Sequence, residues 1–249
     1  MKSKAIFINA YNRPRYLRVC LDALSHCLGL SDWDIVISFD GGSSADFSIC
    51  RSVLKHYEVV HPHNLKARDH PTEILRSALE FGYKKILYCD EDALLRTDAL
   101  AYANAQPDRN GFISLQCVPG HPQLPFYLSS SPVVMYAPLL QELLSFMDAK
   151  RYLGMKHAFL PGVILGQENT IMAHDLCWCA LSIAKPILNY YADLQYSLNF
   201  GFTGYNWRYA ELEAKAFSGQ PGSWFDNILC LASQEDIASK MGTPGFNYE

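Results

Sequence analysis

The sequence has no apolar run long enough to cross a bilayer. Its first, Ala5-Ile6-Phe7-Ile8, follows Met1-Lys2-Ser3-Lys4 directly and stops at Asn9. Such a stretch is too short for a signal peptide or an anchor, so a cytoplasmic protein with no integral membrane segment is expected unless a leader has been removed. Zinc patterns are missing as well. The eight cysteines include no paired Cys-x-x-Cys, and Cys177-x-Cys179 lacks partner ligands at a spacing that would complete a tetrahedral site. Cys20, Cys27, Cys50 and Cys89 fall in apolar contexts and are expected to be buried free thiols. Basic charge is not in excess: the formal net charge is −4, so no global field draws the chain to nucleic acid or an anionic membrane, although a local basic groove stays open. Internal repeats, low-complexity tracts and interdomain linkers are absent, so residues 1–249 are expected to form a single domain.

What the chain does have is core-forming material, with 49% hydrophobic and 18% charged residues. Ala5–Ala10 reads as a buried strand. Tyr11-Asn12-Arg13-Pro14 interrupts it, Asn12 being a fitting cap and Pro14 tolerated in a helix's first turn. From Arg15 apolar residues recur at three and four, giving an amphipathic helix to about His26. Strands are expected at Asp34–Phe39 and Tyr57–Val60, a helix at Thr72–Phe81, and a strand at Ile86–Cys89. Further on, a helix starts near Thr97, with strands at Gly111–Val118 and Ser131–Tyr136 and a helix from Pro138 to about Ala149. Gly154–Asn169 reads as a loop, His174–Ile183 as a helix and Ile187–Tyr191 as a last strand. Strand and helix alternating in this rhythm give an α/β fold: a mostly parallel, Rossmann-like central sheet flanked by helices.

The Ile86–Cys89 run ends in Asp90-Glu91-Asp92. Three carboxylates at a strand's carboxyl end repel one another and call for a cation. A hard divalent ion such as magnesium or manganese, bridging to phosphate oxygens, fits that need; a solvated acidic turn capping the next helix is the plainer alternative. In a parallel sheet every strand delivers its carboxyl end to one edge, where open α/β folds bind ligands. Arg13, Asp40 and the triplet all follow strands, so they should meet there. An arginine beside a carboxylate-held cation suits a diphosphate, and Asp40 can accept hydrogen bonds from ribose hydroxyls or a base N–H. Taken singly, Arg13 reads equally as a surface charge and Asp40 as a turn former before Gly41-Gly42. Their convergence favours a site.

Asn9–Leu17, Ile37–Gly41 and Ile86–Asp92 resemble the corresponding stretches of GT-A-fold glycosyltransferases, in particular the inverting N-acetylglucosaminyltransferase I and protein O-mannose N-acetylglucosaminyltransferase group. The similarity is good over residues 1–115 and patchy beyond. It implies a nucleotide-sugar-binding half at 1–115 and an acceptor-binding and catalytic half at 116–249. It also implies a DxD-type motif in which Asp92 binds Mn2+ (or Mg2+) while Asp90 and Glu91 contact the donor's ribose or sugar. Asp40 would hold the nucleoside, and Asn12 with Arg13 would lie by the diphosphate. Ala173–Trp178 resembles the helix start carrying the catalytic base. Members usually show two adjacent acids there, and with His174 in the first position only Asp175 is left for that role. Asp175 is equally fit to be a helix N-cap. Tyr196–Gly204 resembles the segment that closes the site. Several relatives follow it with a metal-binding histidine, which this chain lacks.

The resemblance therefore implies metal-dependent transfer from a nucleotide diphosphate sugar, such as a UDP-sugar, to an acceptor hydroxyl. One displacement would invert the anomeric centre, and the sequence leaves retention open. The acceptor, whether a saccharide, a glycoconjugate or a modified nucleobase, should lie over Pro119–Ser131, Gly154–Asn169 and Gly204–Phe225. Tyr205, Trp207, Tyr209, Trp224 and Phe225 in the last stretch suit sugar stacking and core packing alike. Two other classes remain: a sugar-phosphate nucleotidylyltransferase, which would normally carry a Gly-rich loop where Asn12-Arg13-Pro14 stands, and a non-catalytic nucleotide-sugar-binding protein, which needs no base.

Overall fold

The computed structural model describes residues 2–117, 120, 122–124, 132–149, 178, 179, 181, 182, 184, 185, 187–201 and 209–232. The sheet is built on β1 (Lys4–Ala10), β2 (Asp34–Phe39), β3 (Tyr57–Val60) and β4 (Lys85–Asp90), running parallel in the order β3-β2-β1-β4. After β4 come β5 (Ala93–Leu95), β6 (Gly111–Cys117), β7 (Gln123–Leu124), β8 (Val133–Tyr136), β9 (Leu188–Ala192) and β10 (Ser197–Asn199). The main sheet continues β4-β8-β6-β9-β7, with β8 antiparallel to both neighbours, β6 parallel to β9 and β7 antiparallel to β9. The helices are α1 (Pro14–Ser25), α2 (Lys66–Glu80), α3 (Ala99–Ala105), α4 (Ala137–Asp148), α5 (Ala210–Ala216) and α6 (Trp224–Ala232).

Alternation along β1 and β4 assigns the two faces. Phe7, Ile86 and Tyr88 join Leu75, Leu139, Leu143 and Trp178 in one buried cluster; Ile6, Ile8, Leu87 and Cys89 join Leu17, Leu21, Leu24 and Leu100 in the other. Both faces are covered, which is why β1, β2 and β4 read as unbroken apolar runs. Full burial of each large side chain contributes about 1.5–3 kcal/mol, and Phe7, Ile8 and Leu87 are all at 0% exposure. As expected, Cys20, Cys27, Cys50 and Cys89 are buried free thiols; burial pushes Cys27 and Cys50 up to about 12.

Two expectations need correcting. Asn12 is exposed and does not cap α1; the cap residue is Arg13, which makes no side-chain cap bond, with Pro14 at the first helical position. Helix α2 begins at Lys66 rather than Thr72 and carries Pro71 inside. The Leu65 N–H at its start is held by Asp40, 25 residues away, and local patterning cannot encode that contact. For Trp224 and Phe225, where stacking on sugars and core packing were both open, the core reading holds: Trp224 meets the Phe217 ring edge-on and Phe225 stacks on His26. Tyr205 and Trp207 lie outside the described residues. Among these residues, no helix is long and apolar enough to cross a membrane.

Candidate active site

The carboxyl ends of β1, β2 and β4 set the polar groups side by side. Register pairs Asn9 with Asp90 and Ala10 with Phe39, so the segments leaving the three strands start at one level. Asp40 follows β2, Tyr11–Arg13 follow β1, and Glu91 and Asp92 form the turn between β4 and β5.

Arg13 is drawn to the acids. Its Nε donates to Glu91 Oε1 at 2.7 Å and its Nη1 to Asp92 Oδ2 at 2.9 Å. Glu91 Oε2 also accepts the Tyr11 N–H at 3.1 Å. The guanidinium thus supplies, from within the chain, part of the positive charge that the triplet requires. Both acids are buried, Glu91 at 3% and Asp92 at 6% exposure, so Asp92 does not face solvent as a carboxylate on an open rim would. Burial raises both carboxyls above their usual range against the pull of Arg13, and Asp90 raises Asp92 further. Reciprocally, the two carboxylates hold the Arg13 guanidinium above its ordinary value, outweighing the effect of burial.

The third acid is fixed separately. Asp90 Oδ1 accepts from Asn9 Nδ2 at 2.9 Å and from Tyr88 Oη at 3.1 Å. Sequence reading assigned neither neighbour a role. The available signal was position alone: Tyr88 precedes Asp90 by two on one strand face, and Asn9 is a polar residue in an apolar strand. From the opposite side β10 pairs antiparallel with β5 and brings Asn199-Phe200-Gly201 to Asp92. The Phe200 N–H donates to the Asp92 carbonyl at 2.9 Å, and a Cβ on Gly201 would stand 2.5 Å from Asp92 Oδ2.

Next to these groups a cleft of about 280 Å³ is lined by Tyr11, Phe39, Asp40, Gly41, Phe47 and His61, among others. Its floor depends on Gly41, where a Cβ would overlap the His61 carbonyl and the His63 nitrogen. Behind it, Ser38 Oγ lies 3.1 Å from His61 Nε2 and 2.8 Å from His70 Nε2, a polar network that the Val36-Ile37-Ser38-Phe39 pattern did not announce. Asp40 lines the cleft, with Oδ1 accepting the Leu65 N–H at 2.6 Å. The fold therefore brings Arg13, Asp40, Asp90, Glu91 and Asp92 to one edge, with Asn12 exposed beside them, while Asp175 lies outside the described residues.

The donor set suits a hard cation. Asp92 Oδ1 is a buried carboxylate oxygen without a hydrogen bond among the described residues, and a group of that kind is stabilised by oxygen-seeking divalent ions. Among those residues no cluster of three or more His, Cys, Asp or Glu is arranged to hold a metal, so substrate oxygens or water would have to complete the shell.

No protein-family model and no curated protein sequence matches the chain. Solved structures do match in fold. S. aureus TarS 1–349 is similar over 79% of this chain and 60% of its own, with a TM-score of 0.53 at 16% identity. The fold is of the GT-A type. TarS 1–349 in complex with UDP-GlcNAc is similar over 57% of this chain and 47% of that one (TM-score 0.45, 18% identity). The galactosyltransferase LgtC, in complex with donor and acceptor sugar analogues, is similar over 76% and 73% (TM-score 0.47, 12% identity). The chain spans between a third and three fifths of the length of the TarS structures it matches.

Proposed function

We propose that this GT-A-type chain is a glycosyltransferase that moves a sugar from a nucleoside diphosphate donor, a UDP-sugar, to an acceptor hydroxyl with inversion. Within the fold class, its motifs favour the N-acetylglucosaminyltransferase I and protein O-mannose N-acetylglucosaminyltransferase group. The observation that carries the reading is the meeting of Arg13, Asp40 and the Asp90–Asp92 triplet at one sheet edge, beside a cleft of about 280 Å³.

In this reading the nucleoside occupies the cleft and Asp40 accepts its hydrogen bonds. Asn12 and Arg13, on the loop entering α1, face the diphosphate. Asp90, fixed by Asn9 and Tyr88, and Glu91 are aligned on the ribose or sugar hydroxyls. Asp92 would hold a divalent cation, Mn2+ or Mg2+, whose Lewis acidity offsets the charge that develops on the departing diphosphate. Asp175 takes the acceptor's proton as general base, and the acceptor lies over residues 116–249. The buried setting of Glu91 and Asp92 strengthens every such electrostatic contact relative to water.

A thermal-shift screen of nucleotide sugars with and without Mn2+ tests the reading, because a ligand that binds only the folded state raises Tm by mass action. UDP-sugars should raise Tm, and more so with Mn2+. No response to any nucleoside diphosphate or nucleotide sugar overturns the function; equal responses in excess chelator overturn the metal.

A further inference from the structure

Arg13 divides one guanidinium between two carboxylates, at 2.7 Å from Glu91 and 2.9 Å from Asp92. Glu91 completes its contacts with the Tyr11 N–H, whereas Asp92 keeps a buried oxygen, Oδ1, with no hydrogen bond among the described residues. One positive charge set against two buried negative ones leaves the pair short of balance, and Asp90, the last residue of β4, adds a third carboxylate just before the turn. The acids have little freedom to adjust: their side chains are 4% and 9% exposed, and Gly201 packs against Asp92 Oδ2. Arg13 has more. Its side chain is 28% exposed, and its guanidinium carbon lies 5.0 Å from the centre of the Tyr16 ring.

A divalent ion reaching Asp92 Oδ1 would meet the guanidinium already bound to Oδ2 of the same carboxylate. Two cations on one carboxylate repel strongly at this degree of burial, so guanidinium and metal compete for it. We propose that Arg13 is the resident counter-ion of the Glu91–Asp92 pair and that a divalent cation binds there only by displacing it. Arg13 then turns outward, free to meet an anionic ligand. The choice of ion rests on the donor-site reading above, while the competition rests on the charges alone.

The test is Mn2+ titration of the nucleotide-free protein by calorimetry, comparing wild type with Arg13→Gln. Coupling free energies between two bound groups are typically 5- to 150-fold, so the variant should bind Mn2+ at least about fivefold more tightly than wild type. Mn2+ should also raise the variant's Tm more than the wild type's. Equal affinity in the two proteins overturns the proposal, and so does the absence of Mn2+ binding in both. If Arg13→Gln does not fold without metal, Arg13→Gln/Glu91→Gln, which removes one charge of each sign, takes its place with the same criterion. A parallel UDP titration separates the two readings. Nucleotide binding with identical Mn2+ affinities removes only the counter-ion exchange; tighter Mn2+ binding in the variant without any nucleotide binding removes only the donor-site reading.

Discussion

Asn9 and Asp90 stand opposite each other in the β1–β4 register, and Asn9 Nδ2 donates to Asp90 Oδ1 at 2.9 Å. Asn9 also reaches the Tyr88 hydroxyl at 3.1 Å, and that hydroxyl donates to the same carboxylate oxygen. Asp90 is thus aimed by its strand neighbours and held apart from the Arg13-bound pair. Asn9→Leu should cost about 1.5–3 kcal/mol of stability, the contribution of a hydrogen bond to a charged group. It should also weaken nucleotide-sugar binding, whereas Tyr88→Phe, which removes the hydroxyl between Asn9 and Asp90 but leaves the direct Asn9–Asp90 bond, should cost less. Urea melts of both variants beside donor titrations measure the difference.

Gly201→Ala tests the closing segment. Its Cβ would stand 2.5 Å from Asp92 Oδ2 and 3.1 Å from Asn199 Oδ1, and Asp92 is pinned by Arg13. Forcing the extra methyl into this contact should cost about 1–3 kcal/mol and reduce Mn2+ affinity. An unchanged Tm with unchanged Mn2+ binding would show that β10 does not shape the Asp92 site.

Asp40 carries two roles that one pair of substitutions separates. Asp40→Asn keeps an oxygen for the Leu65 N–H, so it should cost less stability than removal of the side chain, while nucleotide affinity falls if the negative charge is what the ligand senses. Asp40→Ala strands that N–H and should cost about 1–3 kcal/mol. Calorimetry with UDP on the Asn variant decides the ligand role.

At the opposite edge of the sheet, burial and the nearby Lys4 push Lys85 down to about 8, against the pull of Asp108. Its ammonium donates to the carbonyls of Ala103, in the last turn of the short helix α3, and of Gln106 just after it. A lysine lowered from 10.5 binds fewer protons folded than unfolded between about 8 and 10.5. Its share of stability therefore rises with pH across that window and is lost as pH falls through about 8. Cys27 and Cys50, raised from 9.0 to about 12, act in the opposite sense above pH 9. The Tm difference between wild type and Lys85→Met should accordingly shift in favour of wild type from pH 7.5 to 10. A difference independent of pH would contradict the shift.

Asp175→Asn should depress turnover by about 100- to 10,000-fold, the usual contribution of a positioned general base, and leave UDP affinity intact. Asparagine caps a helix nearly as well as aspartate, so a residue that only caps would leave both rate and stability almost unchanged. A wild-type rate in this variant would move the search for the base to Glu168 and Asp193.

Much of this molecule could be read from local chemistry. Unbroken apolar runs ending in Asn12-Arg13, Asp40 and Asp90-Glu91-Asp92 marked the parallel strands β1, β2 and β4 and their common edge, because burial on both faces leaves a strand no polar alternation to hide behind. Tertiary structure decided what those groups do to each other. The bond from Arg13 to Glu91 and Asp92 spans 78 and 79 residues. The antiparallel entry of β8 between β4 and β6 is a choice of pairing that no local pattern carries, and the meeting of β5 with β10 that lays Gly201 on Asp92 joins segments too short for any period to mark. Sequence pattern encodes which face of an element is apolar; the register and pairing that bring distant charges within 3 Å are settled only when the whole core packs.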